Sequence, residues 1–356
     1  MSTFKQLMDD GKLFKTFIDQ VMQRMTYTPL WKQFMSWDYT PTLTFQAYMA
    51  TAGAAVAGSV ISFASGKPVR KRPTIGQLSG TLGQIGDVFQ MDALMIRKVL
   101  ELEERIARGE ANVRELFDFI YGDFEKAIIA PHKRLDHWVL SGMSTGVITV
   151  DLANNPDGVQ FEIDLGITTY PVYGGAWSLT TTTHTPLADI RAVMDARRVL
   201  GQIPTTMYMS RNTFNKMVKA TEMGVFSLEM TKNVRVNPLN YITVELVNTY
   251  LSALGLPNIV IIEAPLALPD GTMVYPFADD RVVFTNTPTL GTMQYSYAIE
   301  QRSPRVGKTY TTVDNVLVAS YENNEGRFLE YELNAFPAFE AYKQMAILQT
   351  NVPYSS

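Results

Sequence analysis

The stretch VRELFDFIYGDFEKAIIAPHKRLDHWVLSG, residues 113–142, decides the reading of this chain. Val113, Leu116, Phe117, Ile120, Phe124, Ala127 and Ile128 recur at steps of three and four, and Leu135, Trp138 and Val139 prolong the stripe. That period gathers apolar side chains on one helical face and leaves Asp118, Asp123, Glu125 and Lys126 on the other. Pro131 has no N–H for the helical ladder, so it predicts a kink or a break. After Leu140-Ser141-Gly142 the period changes to two. Val147, Thr149 and Asp151 lead to the turn cluster Asn154-Asn155-Pro156-Asp157-Gly158, and Val159, Phe161, Ile163 and Leu165 follow as a return strand. The pattern predicts a long helix running into a hairpin.

Upstream, a shorter helix from about Asp92 to Arg108 ends at Gly109. Before it, residues 42–90 read as extended: Leu43, Phe45 and Ala47 alternate with Thr44 and Gln46, and Ile75, Leu78, Leu82 and Ile85 are interleaved with Gly76, Gly80, Gly83 and Gly86. The glycines make an isolated helix improbable, and a projecting two-stranded arm is the expectation. Its tip holds the densest cluster of positive charge in the chain, Lys67, Arg70, Lys71 and Arg72, framed by Pro68 and Pro73. Such a tip is either a solvated loop or a finger that docks on acidic groups of a neighbour. It lacks the aromatic interleaving of a nucleic-acid reader. At the N-terminus, Phe14, Phe17, Ile18, Val21, Met22 and Met25 have helical spacing, within a helix or a helix pair broken near Gly11. Trp31, Phe34, Trp37 and Tyr39 follow and need cover, from a partner subunit or from the chain's own domain. Trp31 and Trp37 are therefore candidate intersubunit contacts beside the four basic residues of the tip.

Downstream, Thr185-Pro186 predicts the N-terminus of a helix over 187–200, with Thr185 as its cap. Met207–Met209 reads as a buried strand, Asn212–Ala220 and Thr243–Leu254 as helices, and Ile259–Glu263 as a strand. This order suggests a compact unit of mixed strands and helices. From Val282 to Leu333 the chain is largely strand-like.

Composition narrows the function. The 356 residues include no cysteine and 3 histidines, with a formal charge of −4. Disulfide scaffolds, thiol nucleophiles and thiolate zinc sites are thereby removed, and a general phosphate-backbone binder would need a basic field. The start of the chain has no signal-peptide pattern. The uncharged run between Asp38 and Lys67 is long enough to span a bilayer, but its Pro, Gln, Thr, Ser, Gly and Ala give too little transfer energy. His132 and His137 are five apart, not the four that align two imidazoles for zinc. No nucleophile elbow, phosphate loop or dinucleotide fingerprint occurs. Asp279-Asp280-Arg281 could form an acid pair, although adjacent carboxylates are common in turns. Arg302, Arg305 and Lys308 form a looser basic group around Pro304. No catalytic, cofactor or metal residue is assigned, and the expectation is a protein that is not an enzyme.

Several stretches together resemble a known family. Leu140-Ser141-Gly142 before a hairpin ending Phe161-Glu162-Ile163-Asp164-Leu165-Gly166 is similar to the segment after the spine helix of the tailed-phage major capsid proteins, specifically the lambda-like group with the Hong Kong-type fold. Gly174-Gly175-Ala176-Trp177-Ser178, followed by Thr185-Pro186-Leu187-Ala188-Asp189-Ile190, resembles that family's passage into its axial domain. Residues 276–283 and 287–291 resemble the strand that returns toward the peripheral domain. Residues 330–339, with Ala335-Phe336-Pro337, resemble the terminal strand.

The resemblance implies an α+β fold with an N-terminal arm over 1–50 and an extended loop over 51–91 lying on the adjacent subunit. A peripheral domain follows over 92–180, with its spine helix at about 112–141. An axial domain over 181–286 and a return to the peripheral domain over 287–356 complete it. The implied function is a major capsid protein that self-assembles, as hexamers and pentamers, into an icosahedral shell around double-stranded DNA. The implied partners are further copies of itself and separate scaffolding, portal and decoration proteins. The family's long acidic prodomain is missing before the arm, hence a scaffold on its own chain. No cofactor and no membrane are implied, with the virion as final location and the host cytoplasm as place of assembly. The alternatives are an encapsulin-type compartment and, in another class, a carboxylate-dependent hydrolase using Asp279 and Asp280.

Overall fold

The computed structural model describes residues 4–49, 76–91, 93–156, 158–223, 242–268, 271–323 and 326–354. The basic tip, Lys67, Arg70, Lys71 and Arg72, lies outside the described residues.

The chain opens with helices α1 (Phe4–Asp9) and α2 (Gly11–Arg24), separated at Asp10, whose carboxylate accepts from the backbone of Lys12 and Leu13 and caps α2. A 3₁₀ turn (Leu30–Gln33) leads to strands β1 (Met35–Tyr39), β2 (Thr44–Met49), β3 (Gly76–Thr81) and β4 (Gly83–Met91). Helices α3 (Ala93–Ala107) and α4 (Val113–Thr145) precede β5 (Val147–Val150), β6 (Phe161–Asp164) and β7 (Thr168–Val172). Next come α5 (Pro186–Val199), β8 (Thr206–Met209), α6 (Arg211–Val218), α7 (Val244–Ala253) and β9 (Asn258–Ile261). A small hairpin, β10 (Leu266–Ala267) and β11 (Met273–Val274), is followed by β12 (Arg281–Thr285), β13 (Gly291–Ser296) and the short α8 (Ile299–Arg302). Strands β14 (Lys308–Val313), β15 (Val316–Asn323), β16 (Gly326–Ala338) and β17 (Ala346–Pro353) complete the chain.

Helix α4 forms because its apolar stripe has somewhere to go and both ends are closed. Asn112 and Glu115 make a reciprocal capping box at the start. Gly146, at φ +81°, ends the helix in the left-handed conformation that glycine adopts without steric cost. Pro131 stands inside, yet the helix runs unbroken to Thr145, past the 141 read from sequence. The lost backbone bond is offset by burial: Ile128, Leu135, Val139 and Leu140 on either side are fully enclosed. At Gly142 an added Cβ would stand 2.9 Å from Ile148, 3.2 Å from Leu165 and 3.3 Å from Phe339, so the hairpin β5–β6 lies directly on the helix.

Two sheets organise the molecule. The six-stranded sheet follows the order β1-β13-β16-β15-β14, with β4 along the other edge of β16. Helix α4 packs against β4, β15 and β16. Residues 83–91, read from sequence as the end of the extended loop, thus belong to this sheet from Gly83↔Ala335 to Met91↔Arg327. Only β2 and β3 pair apart from it, as an antiparallel ribbon. The five-stranded sheet follows β7-β17-β12-β8-β9, with β7–β17 and β8–β9 parallel. It recruits residues 168–172 and 346–353, which the sequence boundaries placed in the peripheral domain and its return. Backbone pairing across 178 residues leaves no local period from which to read it, as with Ala346↔Thr168.

Asp189 ties the two glycine- and threonine-led motifs together. It is buried on α5 and accepts from the Tyr173 backbone at 2.7 Å and from the Trp177 indole at 2.9 Å. Thr185 occupies the cap position but makes no side-chain cap bond. Glu222 reaches across instead and accepts from the Leu187 backbone at 2.7 Å. Each sheet has its own apolar core, one around α2, α4 and the six-stranded sheet, the other around α5, α6, α7 and the five-stranded sheet.

Candidate assembly surfaces

Of the predicted contact residues, Trp31 and Trp37 are described, and the chain covers them itself. Trp31 is fully buried, which removes it as a free surface contact. It meets Trp37 edge-on at 4.7 Å and stacks on His132 of α4 at 6.1 Å. Trp37 is half-buried and donates its indole N–H to Asp314 at 3.0 Å. Asp314, at φ +48° in the β14–β15 turn, also accepts from Lys32 and lies 3.2 Å from His132 Nε2. One turn along α4, buried Asp136 accepts from the Trp31 backbone at 2.7 Å and from the Tyr27 hydroxyl. Residues 24–39 thereby form a strap across α4, begun at Arg24–Asp118 (2.7 Å) and finished by the parallel pairing of β1 with β13.

Burial governs the strap's electrostatics. It pushes the His132 imidazole down to about 4, with Asp314 opposing and Lys32 assisting. Burial would raise the Asp314 carboxyl, but Lys32, His132 and Trp37 outweigh it and hold it below its ordinary value. His137 is pushed down to about 4 by burial, helped by Arg134.

The acid pair is brought together but spent on structure. Asp279 accepts from Ser210 and, at 2.9 Å, from Asn212. Asp280, at φ +59°, pairs with Lys216 at 2.5 Å, and its N–H donates to Thr213. The His184 ring lies 2.8 Å from the Lys216 carbonyl. Among the described residues, no group of three or more His, Asp or Glu is placed to hold a metal ion, and no helix is long and apolar enough to cross a membrane.

A polar hollow of about 380 Å³ opens between β4, β15, β16 and the α8–β14 connection. Of the loose basic group, Arg305 and Lys308 line it, while Arg302 lies 3.6 Å over the Tyr297 ring. Lys308 bridges Glu300 at 3.2 Å and Glu330, and Arg305 reaches Glu300 at 2.6 Å. Burial would raise the Glu300 carboxyl, but Tyr310, Lys308 and Arg305 overcome it and keep it low. Asp87 accepts from the Tyr331 hydroxyl. Sequence reasoning missed this hollow, although Glu330, Glu332 and Asn334 alternate with buried Tyr331, Leu333 and Ala335 and so mark one polar face of β16.

No protein-family model and no curated protein match the chain. Solved structures do. A prophage protein of E. coli CFT073, described by inference as its capsid protein, is 14% identical, with a TM-score of 0.58 over 96% of this chain and 98% of that one. A phage-related protein of Bordetella bronchiseptica RB50 is 9% identical, with a TM-score of 0.51 over 95% and 97%. The chain thus has a phage capsid fold, α+β in class, as the resemblance implied.

Proposed function

We propose that this chain is the major capsid protein of a tailed phage, a structural subunit rather than a catalyst. On this reading it self-assembles as hexamers and pentamers into an icosahedral head around double-stranded DNA, in the host cytoplasm. Its partners are separate scaffolding, portal and decoration proteins. One observation carries the reading: the likeness to the prophage protein runs end to end through both chains, rather than over one shared module. The commitment of Asp279 and Asp280 to internal partners supports a structural role over a hydrolase. A net charge of −4 suits a wall that encloses DNA without gripping it.

Size-exclusion chromatography and negative-stain microscopy of the purified protein test this. Closed particles holding nuclease-protected DNA when recovered from phage-producing cells are the expected result. A chain that stays monomeric or dimeric under all assembly conditions would falsify the reading, and particles filled with protein cargo would make it a compartment instead.

A further inference from the structure

Two tyrosines meet at one end of the five-stranded sheet. Strands β7 and β17 run parallel with Val172 opposite Pro353, so the next residue on each, Tyr173 and Tyr354, leaves the sheet side by side. Their rings stack with centroids 5.0 Å apart and planes inclined by 29°. Both backbones are fixed. The Tyr173 N–H donates to the buried Asp189 carboxylate at 2.7 Å, and the Tyr354 N–H donates to the Val172 carbonyl at 2.8 Å. The rings themselves face solvent, Tyr173 57% exposed and Tyr354 55% exposed. Tyr39 also meets Tyr295, edge-on at 5.6 Å, and Tyr297 at 6.3 Å, but those two partners are half-buried and their rings stand further off. The chain has no cysteine, the side chain that oxidants otherwise attack first. Two accessible phenols in contact are therefore open to one-electron oxidation.

We propose that Tyr173 and Tyr354 form an oxidative crosslinking site, which hydrogen peroxide and a one-electron oxidising catalyst convert into a dityrosine bridge within the subunit. Each phenol gives up one electron and its hydroxyl proton to become a phenoxyl radical. The two radicals join through ring carbons ortho to the oxygens, and the proton left on each of those carbons moves to the neighbouring oxygen. One carbon–carbon bond forms and two carbon–hydrogen bonds break, while the two electrons and two protons reduce one peroxide to two waters. The stacked approach supplies the proximity that an encounter between separate molecules lacks. The consequence falls on β17. Its pairing with β7 is irregular between Gln349 and Pro353, and Pro353 has no N–H to donate, so the end of this interior strand rests on the Tyr354 backbone bond. A bridge there fastens the last strand to β7 and closes a covalent loop through α5, α6 and α7. Both rings belong to one copy, so the site goes beyond the capsid reading and is independent of it.

The test treats the purified chain with hydrogen peroxide and a catalytic amount of a haem peroxidase, then digests it for mass spectrometry. The expected product is a linked pair of peptides carrying Tyr173 and Tyr354, lighter than their sum by two hydrogens, with the blue fluorescence of dityrosine. Methionine oxidation adds oxygen and is told apart by mass. Tyr173→Phe and Tyr354→Phe each keep two stacked rings and should each lose the linked peptide. A mixture of isotopically heavy and light chains shows whether the link lies within one copy. Absence of that peptide, whether or not other tyrosines couple, overturns the proposal, and so does a link found chiefly between heavy and light chains. Amide exchange over residues 346–353 reads the effect on the strand. It should slow by about tenfold in the bridged chain relative to Tyr173→Phe treated alike, and equal rates would remove the fastening of β17 from the proposal.

Discussion

His132 shows how one side chain links stability to solution conditions. Its ring is enclosed by Trp31, Trp37 and α4, with Nε2 toward Asp314 and Nδ1 without a partner, an arrangement that suits the neutral imidazole. Its folded value of about 4 lies below the ordinary 6.5, and His137 behaves alike. Below pH 6.5 the unfolded chain takes up protons that these two rings refuse in the folded state. Stability therefore falls as pH drops from about 6.5 to about 4, and this contribution levels off below that. The size is at most on the order of 3 kcal/mol per ring. Thermal melts across that window should show the decline, and His132→Gln should reduce its slope by about half, leaving the His137 share. An unchanged slope in the variant would show that the ring is not the source. The low-titrating Asp314 adds a further loss as its pairing with Lys32 is protonated away at still lower pH.

At the scale of elements, α4 is held by its ends and by the closeness of its neighbours. Removing the capping box with Asn112→Ala should cost about 1 kcal/mol, read as a shift in denaturant midpoint at constant slope. Gly142→Leu should cost several times more, because Ile148, Leu165 and Phe339 already sit within 3.3 Å of where its Cβ would be. Equal stability of the two variants would refute the close seating of the hairpin on the helix. Helix α4 was legible because its period, cap residues and terminal glycine all lie within one stretch. Strand β4 was not, because Gly83 and Gly86 break its alternation and its partner β16 lies more than two hundred residues away. The strap was half legible: the aromatic run demanded cover, but nothing local to it announced that His132, Asp136 and Asp314 would supply it.

For the whole molecule, the described residues build two closed cores, and the β2–β3 ribbon stands outside both sheets. Replacing residues 50–75 with a short Gly-Ser turn between Met49 and Gly76 should leave circular dichroism and melting temperature near wild type while abolishing particles. Unfolding of that variant, or particles at normal yield, would contradict this division of roles. The α+β class and the capsid likeness could be anticipated from the order of weak motifs along the chain. The hollow could not, because its walls come from segments near residues 84–88, 300–308, 317–319 and 330–332 that meet only in space.

The position of β17 has a consequence for timing. It lies between β7 and β12, so an interior strand of the five-stranded sheet is made from residues that leave the ribosome after all four other strands. Until Ala346–Pro353 emerge, β7 has no partner strand and β12 presents a bare edge, held in a half-formed layer. A nascent chain is thereby kept from completing the layer, and its surfaces, before most of its length has been translated. Until then the uncovered edge of β12 is open to pairing with another incomplete chain, so the interval before the last strand emerges is the one most exposed to strand-to-strand aggregation.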